Sequence, residues 1–305
     1  MPRIVPPAPG EPRRPHGPRN PGDAWVEGDR GRYWGRFGAA GLLAWDPARG
    51  ILLQHRAEWS DRGGTWGLPG GALHEGEDAI DGALREAHEE AAVPASALSA
   101  RFASVFSVGY WSYTTVVAEV RESFEPAIND PESIALEWVP VDRVAELPLH
   151  PGFAAAWPML SAQLGRRPQL VVDAANVVGA RPDGWWKDRA AAAERLRDGL
   201  HTLVHHGVDA DDLGLPGSRW CPDVTLVVEG KARGIADVDG IRVVNAPHEG
   251  DSEIVEQVSA LVAEHPNDVT MITSDRELTS RVESRGGRVH GAGWLWERID
   301  EAAKR

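Results

Sequence analysis

The stretch GGALHEGEDAIDGALREAHEEAAV, Gly70–Val93, sets seven carboxylates beside a single arginine, Arg85. The chain already carries a formal net charge of −14, so further crowding of like charge needs a physical reason. At about 100° per residue, Glu86, Glu89 and Glu90 fall within one helical arc about 100° wide. Ile80, Ala83, Leu84, Ala87 and Ala91 fill a neighbouring arc, while Asp81 and His88 point away from both. The spacing therefore predicts a helix with an apolar face, a solvent face and a separate carboxylate edge. Like charges three or four residues apart cost about 0.2–0.5 kcal/mol per pair, which a positive partner would offset. A solvated helix face is the plain reading of such a run. Glycines ahead of the helix, where backbone can approach a ligand, argue for a site instead. So do Arg85, able to orient one acid, and hard oxygen donors along one edge, which suit Mg2+ or Mn2+.

Outward from this stretch, 305 residues suffice for two domains with real cores. The acidic balance excludes a protein coated in basic surface for nucleic acid, so any RNA contact must be local. With one cysteine, Cys221, no intrachain disulfide and no Cys-based zinc cluster can form, which fits a reducing, cytoplasmic location. No apolar run reads as a signal peptide core or a membrane span. Eight prolines by Pro21 make residues 1–28 read as a disordered Pro/Arg-rich tail.

Residues 29–165 read as a first domain. FGAAGLLAWD and GILLQHR form two strands joined by the turn DPARG, and RFASVFSVGYWSYTTVVAEV and ALEWVPVDRV add further strands after the acidic helix. One helix among several strands is an α+β or sandwich-like arrangement. After the helical HPGFAAAWPMLSAQLG the boundary falls at the Arg166–Pro168 connection. Residues 166–305 change rhythm: QLVVDAANVVG, DVTLVVEG, GIRVVNA and DVTMITSD are short apolar runs interleaved with helical patterns, which predicts an α/β domain with a parallel sheet covered on both faces.

The acidic stretch is similar to the Nudix box, G-x5-E-x7-R-E-U-x-E-E-x-G-U with U aliphatic. Gly71, Glu77, Arg85, Glu86, Glu89, Glu90 and Val93 stand at the matching positions. One position departs, since Ala92 replaces the glycine that ends the helix in a left-handed turn, and this puts the exit geometry in question. The resemblance implies an α/β/α sandwich and metal-dependent hydrolysis of a nucleoside diphosphate linked to another moiety. It also implies that Glu86, Glu89, Glu90 and the Gly70 carbonyl hold Mg2+ or Mn2+ and that Arg85 holds Glu77. Which carboxylate acts as base varies across the family. Glu132 is a further ligand candidate or a solvated loop acid. Trp66, Tyr110, Trp111 and Tyr113 suit either base stacking or the core, and His55, Arg56 and Gly71 are candidate substrate contacts.

In the second half Asp173 and Asp275 end predicted strands, and Asp251 and Glu253 open a helix, so acids from separate strands can converge on one cation. Each of Asp251 and Asp275 also suits an N-cap. Together with Asn176, a shared Mg2+ or Mn2+ explains them better. VVDAANVVG, GDSEIVEQV and TSDRELTSRVESRGGRV resemble the NYN branch of PIN-like ribonuclease domains, in particular its YacP-like members. That resemblance implies a metal-dependent ribonuclease fold with Asp173, Asn176, Asp251 and Asp275 about the metal. Lys231, Arg233 and Arg276 are candidate backbone contacts for RNA. Trp185 and Trp186, beside Lys187 and Arg189, suit a stacking platform for single-stranded RNA or a loop packed on the sheet. The expected partners are a nucleotide substrate and, for the second domain, RNA; a nucleotide- or RNA-end-binding regulatory protein without turnover is the alternative.

Overall fold

The computed structural model describes residues 1–8, 11 and 20–304. The chain divides into two compact units, Met1–Gly165 with Pro216–Ser218, and Arg166–Leu215 with Arg219–Arg305.

The first unit opens with strands β1 (Arg3–Val5), β2 (Trp25–Gly28) and β3 (Gly31–Trp34), which form an antiparallel sheet in that order. This corrects the expectation of a disordered tail over 1–28, of which residues 9–10 and 12–19 lie outside the described residues. Arg3, Ile4 and Val5 sit between prolines and keep their N–H groups, so they can pair with Glu27, Val26 and Trp25. Arg3 adds an ion pair to Glu27 at 2.6 Å, and Trp25 meets Trp34 edge-on at 5.1 Å.

The main sheet of this unit uses β4 (Ala39–Asp46), β5 (Gly50–Arg56), β8 (Leu98–Ser107), β9 (Ser112–Val120) and β10 (Ser133–Val139) in the order β10-β5-β4-β9-β8. Only β4 and β9 run parallel among these neighbours. Between β4 and β5 the Asp46 carboxylate accepts the N–H groups of Ala48 and Arg49 at 2.8 and 3.2 Å, closing the DPARG turn. The two strands then part after Trp45↔Ile51. Into the opening come β6 (Trp66–Gly67), paired with β5, and β7 (Gly70–Ala72), paired with β4. This places the glycines directly ahead of α1 (Ala79–Ala91). The Asp78 carboxylate caps α1 by accepting the Ile80 N–H at 2.8 Å. Ile80, Ala83, Ala87 and Ala91 are buried, and the helix packs on β4, β7 and β9. Helix α2 (Pro151–Ala162) closes the unit, with Pro151 at its first turn.

The second unit is built on β11 (Gln169–Asp173), followed by α3 (Ala174–Gly179) and α4 (Arg189–His206). Next come the short β12 (Val208–Asp209), α5 (Ala210–Leu213) and β13 (Arg219–Trp220), where β12 and β13 pair antiparallel. Then follow β14 (Asp223–Val228), β15 (Ile241–Asn245), α6 (Gly250–Glu264), β16 (Val269–Ile272), α7 (Arg276–Glu283), β17 (Arg288–His290) and α8 (Ala292–Ala302). The sheet order is β15-β14-β11-β16-β17 and every pairing is parallel. All five residues of the central β11 are buried, as a strand covered on both faces requires. Val171, Val227, Ile254, Val258, Met271 and Leu278 share one core. No helix among the described residues is long and apolar enough to cross a membrane.

Ala92 leaves α1 at φ 53°, ψ 28°, the left-handed conformation that glycine adopts most easily. The helix exit is therefore kept without glycine, at a backbone cost of about 1–2 kcal/mol. Ala92→Gly is expected to raise stability by about 1 kcal/mol, read as a higher melting temperature by calorimetry.

Candidate active site

Arg85 organises the acidic stretch. Its Nε and Nη2 donate to the two oxygens of Glu77 at 2.7 and 2.8 Å, its Nη1 donates to Glu86 at 2.8 Å, and its Nη2 also reaches the Ala72 carbonyl at 3.1 Å. The two-pronged grip on Glu77 uses the fork geometry that only a guanidinium offers. Burial by itself would push the Glu77 carboxyl up. Hydrogen bonds from Arg85 and the His74 N–H outweigh it, and its pKa lies below the ordinary glutamate value. Gly82 faces this pair from α1, and a Cβ there would collide with Leu73 and crowd Glu77. The helical pattern alone carries no signal for that glycine.

Glu86 and Glu90 are buried, whereas the Glu89 side chain is 57% exposed, with Arg85 Nη1 3.5 Å from its carboxylate. The Glu90 carboxylate accepts the Gly70 N–H at 2.9 Å. A Cβ at Gly71 would strike the Glu86 carboxylate, so β7 can lie this close to α1 only with glycine there. Among the described residues no group of three or more His, Cys, Asp and Glu side chains stands ready to hold a metal ion. The donor chemistry suits a hard divalent cation: Glu86 and Glu90 lie against the Gly71 and Gly70 backbone, Glu89 adjoins Glu90 on the same helix, and each ionised carboxylate can accept about four hydrogen bonds or metal contacts in all.

The other candidates in this unit divide. Arg56 is buried, with Nε donating to the Asp61 carbonyl at 3.1 Å. Glu132 is only 3% exposed, which overturns its reading as a solvated loop acid; its carbonyl accepts the Ala57 N–H at 2.8 Å, drawing that loop against the sheet. Trp66 is buried with one face stacked on His55 at 4.7 Å, so that face is taken. Trp111 stacks on Tyr33 at 4.5 Å, and Tyr110 donates to the Gly31 carbonyl, so these aromatics serve the N-terminal sheet.

In the second unit Asp173 and Asp275 both cap helices, accepting the N–H groups of Asn176 and Leu278 at 3.0 and 2.9 Å. Thr273 links them: its hydroxyl donates to Asp173 at 3.1 Å and accepts the Asp275 N–H at 3.2 Å. Asn176 Oδ1 accepts the Ser274 N–H at 2.8 Å. Asp251 is the second residue of α6 and not its cap, a correction to the N-cap reading; the cap is Glu249, and Glu229 from the end of β14 accepts the Gly250 N–H at 2.8 Å. Nothing in the sequence marks Glu229, because the pairing that brings the end of β14 beside β11 is long-range. Burial raises the Asp173 pKa against the Asn176 and Thr273 hydrogen bonds, with the Asp251 and Glu229 charges adding to it. Burial, then the Asp275 charge, likewise raises Asp251. Glu253 instead accepts from Gln257 at 2.8 Å. Arg233 donates to the His248 carbonyl at 3.0 Å. Trp186 is 59% exposed, which corrects the packed-loop reading, and Arg189 lies over Trp185 at 5.4 Å.

Similarity to known proteins falls in the first unit. A NUDIX domain profile matches residues 35–161. The chain belongs to the Nudix family, whose hydrolases act on phosphoanhydride bonds and generally use divalent metals such as Mg2+ or Mn2+. It is 50% identical over 153 residues to the protein called putative 8-oxo-dGTP diphosphatase 3 in two strains of Mycobacterium tuberculosis, covering 47% of this chain and 70% of the relative. A nucleoside triphosphate pyrophosphatase/Nudix hydrolase fusion protein of Bifidobacterium longum is 42% identical over 153 residues, covering 47% of this chain and 32% of that protein. Among solved structures, the Nudix hydrolase RenU of M. smegmatis is 48% identical, covering 46% of this chain and 94% of that one, with a TM-score of 0.43.

The Arg85–Glu77 clamp has a pH signature. Glu77 is depressed in the fold, so its contribution is present above the ordinary glutamate pKa and is lost as pH falls through the lower folded value. The stability gap between the parent and Glu77→Gln is thus expected to narrow on acidification below pH ~4, measured by urea unfolding at stepped pH. Arg85→Lys keeps the charge but loses the fork, and is expected to cost about 1–3 kcal/mol in the same assay.

Proposed function

We propose that the first unit, over residues 29–165, hydrolyses a phosphoanhydride bond of a nucleoside triphosphate of the oxidised-guanine class. The observation that carries this reading is the Arg85 clamp holding Glu77 and Glu86 beside Glu89, Glu90 and the Gly70–Gly71 backbone. Identity to the mycobacterial diphosphatase-named relative supports the substrate class. Glu86, Glu89, Glu90 and the Gly70 carbonyl would hold Mg2+ or Mn2+. A cation held there would supply neutralisation of phosphate charge and a water that is easier to deprotonate. One of these glutamates would also accept a proton from the attacking water, and the exposure of Glu89, where Glu86 and Glu90 are buried, supports testing it first. Water adds to phosphorus as the bridging P–O bond breaks, and the departing phosphate takes up the electron pair. Arg56, Glu132 and Trp66 are candidate substrate contacts of the same unit.

The parent and Glu89→Gln are to be compared on 8-oxo-dGTP, dGTP, ADP-ribose, dinucleoside polyphosphates and capped RNA, with Mg2+ or Mn2+. Glu89→Gln is expected to lower kcat about 10²-fold or more, with 8-oxo-dGTP the preferred substrate. No difference between the two proteins on any substrate would favour nucleotide binding without turnover.

A second reading concerns residues 166–305: a PIN-like, metal-dependent ribonuclease with Asp173, Asp251 and Asp275 as cation ligands and Asn176 beside them. The Asp251 and Glu229 charges acting on Asp173, and the Asp275 and Glu229 charges acting on Asp251, support it, because a divalent cation relieves such repulsion. Asp173→Asn is expected to abolish metal-dependent cleavage of single-stranded RNA, read on a denaturing gel. Equal rates would leave this unit as a binding module.

A further inference from the structure

Helices leave their last four carbonyls unpaired, and a glycine-based cap usually covers some of them. In α1 the cap position is Ala92, whose N–H returns to the His88 carbonyl at 3.0 Å, and the Val93 N–H reaches the Ala87 carbonyl at 3.3 Å. The carbonyls of Glu90 and Ala91 are covered from elsewhere, by the N–H groups of Asn129 and Ala127, each at 3.1 Å. Asn129 Nδ2 also stands 3.5 Å from the His88 carbonyl. Glu90 is therefore held twice, its carbonyl by Asn129 and its carboxylate by the Gly70 N–H at 2.9 Å.

The far end of the same segment is pinned to the sheet. Asp130 Oδ1 accepts the Glu132 N–H at 2.8 Å and the Asp130 carbonyl accepts the Ser133 N–H at 3.2 Å, which together close a turn. Beyond it the Glu132 carbonyl accepts the Ala57 N–H at 2.8 Å, and Ser133 Oγ accepts from Gln54 at 2.7 Å. Residues 127–133 thus form a strap from the end of β5 to the last turn of α1, and the Asp130 carboxylate sets its shape.

We propose that this strap is a positioning element and Asp130 a positioning residue: by fixing the last turn of α1 it holds Glu89 and Glu90 in place for the cation, resting on the reading of those glutamates as its ligands. Cation sites tolerate only about 0.5 Å of misplacement, and outer partners of metal ligands typically change metal affinity 10–100-fold.

The test titrates Mn2+ alone into the full chain and follows free Mn2+ by electron paramagnetic resonance. Asp173→Asn is present throughout, so that the second unit does not contribute. Asp130→Ala is expected to weaken Mn2+ binding about 10-fold or more, and its turnover to recover toward the parent at saturating Mn2+. Asp130→Asn keeps the Oδ1 acceptor and is expected to stay within about twofold of the parent, a rescue that a charge effect would not produce. Should Asp130→Ala fail to fold, Asp130→Glu moves the acceptor by one methylene and carries the same expected loss. Parental affinity in Asp130→Ala alongside a loss in Glu90→Gln overturns the proposal, as do equal losses in Asp130→Ala and Asp130→Asn. Parental affinity in Glu90→Gln overturns the ligand reading itself, and the proposal with it.

Discussion

The first unit depends on a single guanidinium. Arg85 sits among Glu77, Glu86 and Glu89 and neutralises part of a charge density that would otherwise work against the helix. Its fork also joins three pieces of chain: the loop ahead of α1 through Glu77, the strand β7 through the Ala72 carbonyl, and α1 itself through Glu86. A point charge at this position could balance the acids but could not fix three partners in direction at once.

Geometry around that clamp comes from a defect in the sheet. Strands β4 and β5 pair only near their shared turn and then separate, and β6 and β7 fill the opening. Backbone is thereby brought to the acidic edge of α1, close enough that Gly71 admits no Cβ and the Gly70 N–H meets Glu90. At the other end of the helix an alanine takes a glycine conformation. Tertiary hydrogen bonds from Ala127 and Asn129 hold that exit in place, the kind of over-determination under which a strained residue persists.

The second unit solves a different problem. Its central strand is buried on both faces and ends in Asp173, so the acid enters a poorly solvated place beside Glu229 and Asp251. Hydrogen bonds from Asn176 and Thr273 offset part of the cost at Asp173, yet its pKa stays raised, as does that of Asp251, which caps nothing. At Asp173 one carboxylate oxygen caps α3 while the other accepts the Thr273 hydroxyl.

Much of this was legible in the chain. Fixed spacing on a helix separates Glu86, Glu89 and Glu90 from Ile80, Ala83 and Ala87, because helical period is a local property. Alternation of short apolar runs with helices implied the parallel sheet of the second unit, and DPARG marked the β4–β5 turn of the first, for the same local reason. Residues 3–5 and 25–28 misled, since a proline-rich stretch hides two short segments whose pairing is long-range. Asp251 misled by two residues, because the cap position is Glu249 and the group that meets the first N–H of α6 is Glu229, from the end of another strand. Residue types and local spacing, set by covalent sequence and helical geometry, determined which carboxylates share an edge and which apolar runs form strands. Which of those carboxylates are buried, that Glu132 is drawn in from its loop, and that Asn129 closes α1 were decided only by tertiary structure, because each depends on chain segments that meet through packing and not through sequence proximity.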